Sequence, residues 1–204
     1  MVRRQLAARG ISDRRVLAAM VSVPREIFVS PDMQHLAYAD QAVRIGRNQT
    51  ISQPYIVAVM TEQARIRRNS KVLEIGTGSG YHTAVVARLA QHVWSVERFE
   101  DLSILAERRL FDLGISNATL LVGDGAHGHG DDAPYNAIVV AAAAPRIPEP
   151  LMQQLAVGGR LVIPIGDRVT QTLHVIERTG DGYLEAMADS CRFVPLISPE
   201  AFAE

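Results

Sequence analysis

Three short segments carry residue types and spacings suited to holding a nucleoside. The first is Val72-Leu73-Glu74-Ile75-Gly76-Thr77-Gly78-Ser79-Gly80-Tyr81, where an apolar run gives way to a helical pattern. Glycine at such a junction permits a tight turn and lets a ligand approach the backbone, and ligands of open α/β sheets bind at the carboxyl ends of the strands. The second is Glu97, which closes the next apolar run and is suited to accept hydrogen bonds from a ribose diol. In the third, Val122-Gly123-Asp124-Gly125, a carboxylate can accept an adenine amino group while the adjacent amide donates to a ring nitrogen. Each segment alone reads equally as an ordinary strand-ending turn, because such turns are rich in Gly and Asp. Their combination, in this order, favours one shared ligand.

Charge separates two nucleoside classes. The spacing is G-x-G-x-G, without the G-x-G-x-x-G of the dinucleotide fingerprint. A pyrophosphate is anionic, whereas S-adenosyl-L-methionine presents a sulfonium and an ammonium that an acidic neighbour such as Glu74 favours. The expected cofactor is therefore S-adenosyl-L-methionine, held by Glu74, Gly76, Gly78, Gly80, Glu97, Asp124 and Gly125.

Other reactive types read more plainly. Ser52 stands two residues before Pro54, at the start of a helical pattern, and locally reads as a helix cap. His127-Gly128-His129-Gly130-Asp131-Asp132 resembles a metal site in composition, but it lies in a glycine-rich loop with no distant partner expected to close a shell, so no metal is expected. Cys191, the single cysteine, falls in an apolar strand and reads as an inert thiol that has no disulfide partner. Trp94 reads as core.

The elements that must position these groups follow from periodicity. Lys71 to Ile75, His92 to Glu97, Ala118 to Val122, Tyr135 to Ala141 and Arg160 to Ile165 are short apolar runs expected of strands buried on both faces. Helical intervals at His82 to Ala90, Glu100 to Leu113 and Pro148 to Leu155 separate them, with Gly158-Gly159 expected to end the last helix. Alternation at this spacing predicts a doubly wound, mostly parallel sheet of Rossmann-like α/β class. Residues 172–178, a Thr179-Gly180-Asp181-Gly182 turn and residues 183–197 predict a closing antiparallel hairpin. Residues 2–22 read as helix with Ser12 a candidate cap. Apolar Val16, Leu17, Met20 and Val21 recur there at helical spacing, and a second helix runs from Pro54 to about Ala64. Between them, residues 28–53 show little periodicity. The predicted organisation is one domain over 1–204: an N-terminal helical cap (1–70), a cofactor-binding core (71–168) and C-terminal strands (169–204).

Composition excludes several classes. Hydrophobic residues at 48% against 21% charged allow a buried core, which a disordered chain lacks. A formal net charge of -1 removes the general attraction that drives phosphate-backbone binding, so nucleic acid is not an expected partner. The start, Met-Val-Arg-Arg-Gln, lacks the apolar run of a signal peptide, and no apolar stretch is long enough to span a bilayer. A cytoplasmic monomer is expected.

The sequence resembles the protein-L-isoaspartate O-methyltransferase family over nearly its whole length. The glycine loop by itself points only to class I methyltransferases. More specific are Val23-Pro24-Arg25-Glu26-Ile27-Phe28-Val29, Gln49-Thr50-Ile51-Ser52-Gln53-Pro54-Tyr55, Ala142-Ala143-Ala144-Pro145 and Arg192-Phe193-Val194-Pro195-Leu196-Ile197. The chain departs from the family pattern at Asn48, Phe99-Glu100 and Ala141. The resemblance implies that Ser52 is the active-site serine and that Thr50 and Ile51 line the cleft with it. It also implies that Val194, Pro195, Leu196 and Ile197 help hold a substrate peptide bearing an isoaspartyl residue. Such a carboxylate ionises at roughly 3.3 to 4.3 and needs no general base, so catalysis can come from positioning and charge neutralisation. Two rivals stand beside this reading: a small-molecule O-methyltransferase of the same fold, and a non-catalytic cofactor-binding adaptor.

Overall fold

The computed structural model describes residues 1–203. Its first seventy residues build a lid of short pieces. Helical turns at Val2–Leu6 and Ala7–Arg9 stop at Gly10, whose φ of 99° ends the predicted long helix early. Helix α1 (Arg14–Ser22) then starts under Asp13, whose side chain accepts from Arg15 N and Val16 N. Ser12, the expected cap, instead turns its amide and hydroxyl to Glu62 Oε1 at 2.8 and 3.3 Å. Val16 and Met20 are buried as their spacing predicts, while Val21 points to solvent.

Strands β1 (Val43–Gly46) and β2 (Gln49–Ile51) form a small antiparallel hairpin inside the segment that shows no periodicity. Strands of four and three residues are too short to display alternation. Their turn rests on Arg47 and Asn48, both at positive φ (49° and 55°), the backbone that primed hairpin turns require. Helix α2 (Pro54–Gln63) follows at once, with Ile56 through Thr61 all buried.

From Lys71 onward the chain alternates as predicted. Strand β3 (Lys71–Ile75) leads to α3 (Tyr81–Ala87), β4 (His92–Glu97) to α4 (Glu100–Asp112), then come β5 (Ala118–Val122), β6 (Tyr135–Val140) and α5 (Glu149–Gln153). Strand β7 (Leu155–Gly166) is parallel to β6, and β8 (Gln171–Arg178) and β9 (Tyr183–Cys191) add antiparallel strands at that edge. The order β5-β4-β3-β6-β7-β8-β9 makes a seven-stranded, doubly wound sheet. Successive strands are added to one side up to β5 and to the other side from β6, so the strand order reverses between the parallel neighbours β3 and β6, and ligands collect at such a switch point.

Two expectations fail locally. Gly158-Gly159 does not end a helix, because α5 already stops at Gln153 and both glycines lie inside β7. A side chain at Gly159 would meet the carbonyl oxygens of Ala156 and Tyr135 at 2.9 Å, so glycine is needed there for strand packing. The last strand ends at Cys191, short of the predicted Ile197. Residues 192–197 turn back instead over the carboxyl end of β6, where Ala143 N donates to Val194 O and Leu196 N donates to Ala143 O.

Candidate active site

The glycine loop between β3 and α3 forms the floor of a cavity. Gly76, Gly78 and Gly80 hold φ of 91°, 53° and 88°, conformations that side chains resist. Gly76 N donates to Val96 O at 2.8 Å and Gly78 N to Glu97 Oε2 at 2.7 Å, which ties the loop to the end of β4. Glu97 Oε1 accepts from Phe99 N at 3.0 Å, so the carboxylate is fixed at the cavity wall, where it retains lone pairs for a ligand. Ile45 of the β1–β2 hairpin reaches over Gly78, and Arg47 pairs with Asp101 at 2.8 Å, so the hairpin leans on the loop it helps to enclose.

Gly125 lines the same cavity, and a Cβ there would lie 2.2 Å from Ile75 Cγ2. Asp124 stands just outside it. Its Oδ1 accepts from Ala126 N at 2.9 Å and its Oδ2 from Ser198 Oγ at 2.7 Å, and it borders a neighbouring cleft with Arg98 and Ile197. Gly80 caps α3 without lining the cavity.

Glu74 lies beneath the loop, fully buried, and does not line the cavity. Its Oε2 accepts from Thr83 Oγ1 and, at 2.6 Å, from Ser95 Oγ. Ser95 spends its one proton on Glu74, so Thr77 Oγ1, 2.6 Å away, must donate to Ser95. Glu74 Oε1 has no hydrogen-bond partner. Burial outweighs these donors and pushes the Glu74 carboxyl up to about 7. His82, which does line the cavity, is drawn down to about 4 by burial.

Ser52 sits between β2 and α2, and the structure does not make it a cap. Gln53 occupies the N-cap position with no side-chain cap bond, and the Ser52 hydroxyl bonds to no described residue. The Ser52 carbonyl is held by Arg25 Nη2 at 2.6 Å. Thr50 and Ile51 line the main cavity beside it, as do Val194, Pro195, Leu196 and Ile197 from the returning C-terminal segment. A second cleft opens on the far side of Ser52, bordered by Arg9, Tyr55, Asp189 and Arg192. Thr50, Ser52, Ala141 and Val194 line both. These four residues form a neck that stands between the two spaces and borders each.

Sequence reasoning missed Arg25 and His82. Arg25 was visible only as part of a family segment, and it proves to be completely buried with its guanidinium 4.7 Å from the Tyr81 ring centroid. His82 follows the glycine loop directly, and that position was its one available signal. The histidine loop does find a distant partner, contrary to expectation: His127 Nε2 lies 3.8 Å from Asp124 Oδ2 and 3.7 Å from Glu200 Oε2. Cys191 is half-buried with its thiol pushed up to about 11, chiefly by burial, and so stays protonated near neutral pH.

A sequence profile of the protein-L-isoaspartate(D-aspartate) O-methyltransferase family matches residues 1–201. The chain belongs to this family. It is 50% identical to protein-L-isoaspartate O-methyltransferase of Protochlamydia amoebophila over 99% of this chain and 97% of that protein. It is 53% identical to the Vibrio parahaemolyticus protein of the same name over 95% and 92%. A putative protein-L-isoaspartate O-methyltransferase of Plasmodium falciparum, solved with S-adenosyl-L-homocysteine, superposes with a TM-score of 0.81 at 26% identity, covering 96% of each chain. The doubly wound sheet is thus the family's fold, and no described helix is long and apolar enough to cross a membrane.

Proposed function

We propose that this chain transfers a methyl group from S-adenosyl-L-methionine to the free α-carboxylate of L-isoaspartyl residues in damaged proteins and peptides. The product ester then leads through a succinimide back to aspartate, and S-adenosyl-L-homocysteine is left behind. The carrying observation is the neck: Thr50, Ser52, Ala141 and Val194 border both a cavity floored by the glycine loop and a polar cleft that Arg9, Asp189 and Arg192 also line. That arrangement suits a cofactor on one side and a peptide on the other.

The residues present fit the cofactor. Glu97 offers remaining carboxylate lone pairs for a ribose diol and Gly125 leaves space that a Cβ would fill, while Glu74 supports the loop from behind the cavity. Asp124 and Gly125 are assigned to the adenine side. When bound, the cofactor supplies a methyl group on a positively charged sulfur.

The protein's own part is positioning. Ser52 donates its free hydroxyl to the substrate carboxylate and aims one oxygen through the neck, with Arg25 fixing the Ser52 backbone. Val194 borders the peptide side of the neck, where Arg192 places a cation, while Pro195, Leu196 and Ile197 of the same segment reach the reacting carboxylate from the cofactor side. The carboxylate arrives ionised, so the reaction needs no base, and the low-dielectric neck favours the loss of charge as ester forms. Thr50 borders both partners and Ile51 the cofactor. We take the enzyme to work as a cytoplasmic monomer on polypeptides rather than on nucleic acid or membranes, a reading supported by its near-neutral charge and lone protonated thiol.

Radiolabelled methyl transfer to matched aspartyl and isoaspartyl peptides tests this. Base-labile label on the isoaspartyl peptide alone is expected, and label on a metabolite with none on either peptide would overturn it.

A further inference from the structure

Aspartate precedes glycine at two places in the chain, Asp124-Gly125 and Asp181-Gly182. Such a bond rearranges to isoaspartate readily, because glycine has no Cβ to shield its amide nitrogen from the neighbouring carboxyl. The two sites have opposite surroundings. Both Asp124 oxygens are engaged, by Ala126 N at 2.9 Å and Ser198 Oγ at 2.7 Å, and Gly125 is buried against Ile75. Asp181-Gly182 lies instead at the tip of the turn that joins β8 to β9. Asp181 is exposed; its amide donates to Thr179 Oγ1 at 3.3 Å, but its carboxylate bonds to no described residue. The Gly182 amide likewise donates to no described backbone group, and a side chain at Gly182 would meet nothing within 4 Å. Nucleophile and carboxyl are therefore adjacent and free, at a loop tip that opens easily.

The chemistry balances without any co-reactant but water. The Gly182 nitrogen attacks Asp181 Cγ, a C–N bond forms, and a carboxyl oxygen leaves as water with the amide proton. Water then opens the resulting succinimide at either carbonyl. Where the bond from the Asp181 carbonyl carbon to the Gly182 nitrogen breaks, the main chain runs on through Cγ and the α-carboxylate is set free, with no change in mass. Geometry decides which molecule can act on that carboxylate. Strand β9 runs nine residues from this turn to Cys191, and Asp189 and Arg192 border the peptide cleft at its far end. About 27 Å of extended strand thus separates the turn from the neck. A chain cannot bring its own turn to its own Ser52.

We propose that the Asp181-Gly182 turn is an isoaspartate-forming modification site, and that a second copy of this chain methylates it in trans. The protein is then among its own substrates as it ages, while the Asp124-Gly125 pair beside the cavity is kept from the same change by its bonds and packing. The methylation half of the proposal rests on the isoaspartyl methyltransferase reading; the isomerisation half does not.

Ageing the pure protein at neutral pH without cofactor tests both halves. Trypsin releases residues 179–192 between Arg178 and Arg192, and after ageing this peptide is expected as two chromatographic peaks of one mass. Intact aged protein given radiolabelled S-adenosyl-L-methionine should take up base-labile label, at a rate per chain that rises with protein concentration. Asp181→Glu keeps the charge but must close a larger ring, so it should lose the second peak and at least about tenfold of the label, because ordering the longer side chain costs more conformational freedom. It should methylate an added isoaspartyl peptide as wild type does. A single peak after ageing, or label that persists in Asp181→Glu, would overturn the proposal. Label uptake per chain that is independent of concentration overturns the action in trans, as do two peaks without label in protein that methylates an isoaspartyl peptide. Protein that methylates no isoaspartyl peptide overturns the methyltransferase reading instead, and the number of peaks still decides the modification.

Discussion

Arg25 Nη2 donates to the backbone carbonyl of Ser52 at 2.6 Å, while the Ser52 hydroxyl is left without a partner among the described residues. The backbone of this serine is thus anchored from below and its side chain is free to act. The same guanidinium donates to Ala37 O through Nε at 2.7 Å and lies over the Tyr81 ring. It joins the lid, the neck and the first helix of the α/β core.

Removing the Ser52 hydroxyl should therefore affect catalysis more than folding. Ser52→Ala is expected to lower kcat/KM for an isoaspartyl peptide by about 10- to 100-fold, the range of one hydrogen bond to a charged group. Its Tm and its affinity for S-adenosyl-L-homocysteine should stay near wild type. Unchanged kcat/KM in a methyl-transfer assay would remove Ser52 from the reaction.

Arg25 should behave in the opposite way. Arg25→Ala strands the Ala37 and Ser52 carbonyls and leaves a void under Tyr81, so a stability loss of about 3 kcal/mol or more is expected in urea denaturation. Arg25→Met keeps most of the volume and should lose less. Burial has already drawn the Arg25 guanidinium down to about 10, a sign that its charge is held there at a cost in solvation.

The Glu74–His82 pair predicts a hidden pH dependence. The Glu74 carboxyl titrates near 7 in the fold against an ordinary 4.5, so its contribution to stability is full below about 4.5 and is lost as pH rises towards 7. His82 is shifted the other way, to about 4 from 6.5, and its contribution is full above 6.5 and is lost as pH falls towards 4. The windows overlap and the slopes oppose, so the pair contributes little net dependence in wild type. In Glu74→Gln, Tm relative to wild type should rise with pH between about 4.5 and 7. In His82→Leu it should fall with pH between about 4 and 6.5. Parallel Tm curves for all three proteins would exclude these shifts.

A methyl group at Gly125 tests the cradle. Its Cβ would press on Ile75 Cγ2 at 2.2 Å, so Gly125→Ala must move backbone or Ile75 at a cost of about 1 to 3 kcal/mol. Because Gly125 and Ile75 both border the cavity, affinity for S-adenosyl-L-homocysteine should drop as well. Thermal melts read the first effect and calorimetry the second.

The alternation of β-branched runs with helical intervals was legible from residues 71 to 165, and so was the glycine loop, because each depends on side chains close along the chain. The β1–β2 hairpin was not, since seven strand residues around a turn at Arg47-Asn48 carry no period to read. The end of β9 was misjudged because the apolar residues after Cys191 look like strand, yet they bury themselves against Ala143.

For the site, the sequence by itself determined the glycine loop, its acidic neighbours and the family whose pattern includes Ser52. Those are features of local spacing and of residue type. Only the tertiary structure decided that Ser52 shares a neck with Val194, that Arg25 holds it across 27 positions, and that Asp124 is bound by Ser198 across 74. It also turned Glu74 away from the cavity and set His82 in front of it. The physical reason is that a buried polar atom must find its partner in space, and which distant residue supplies that partner follows from how the lid and the returning C-terminal segment pack on the sheet.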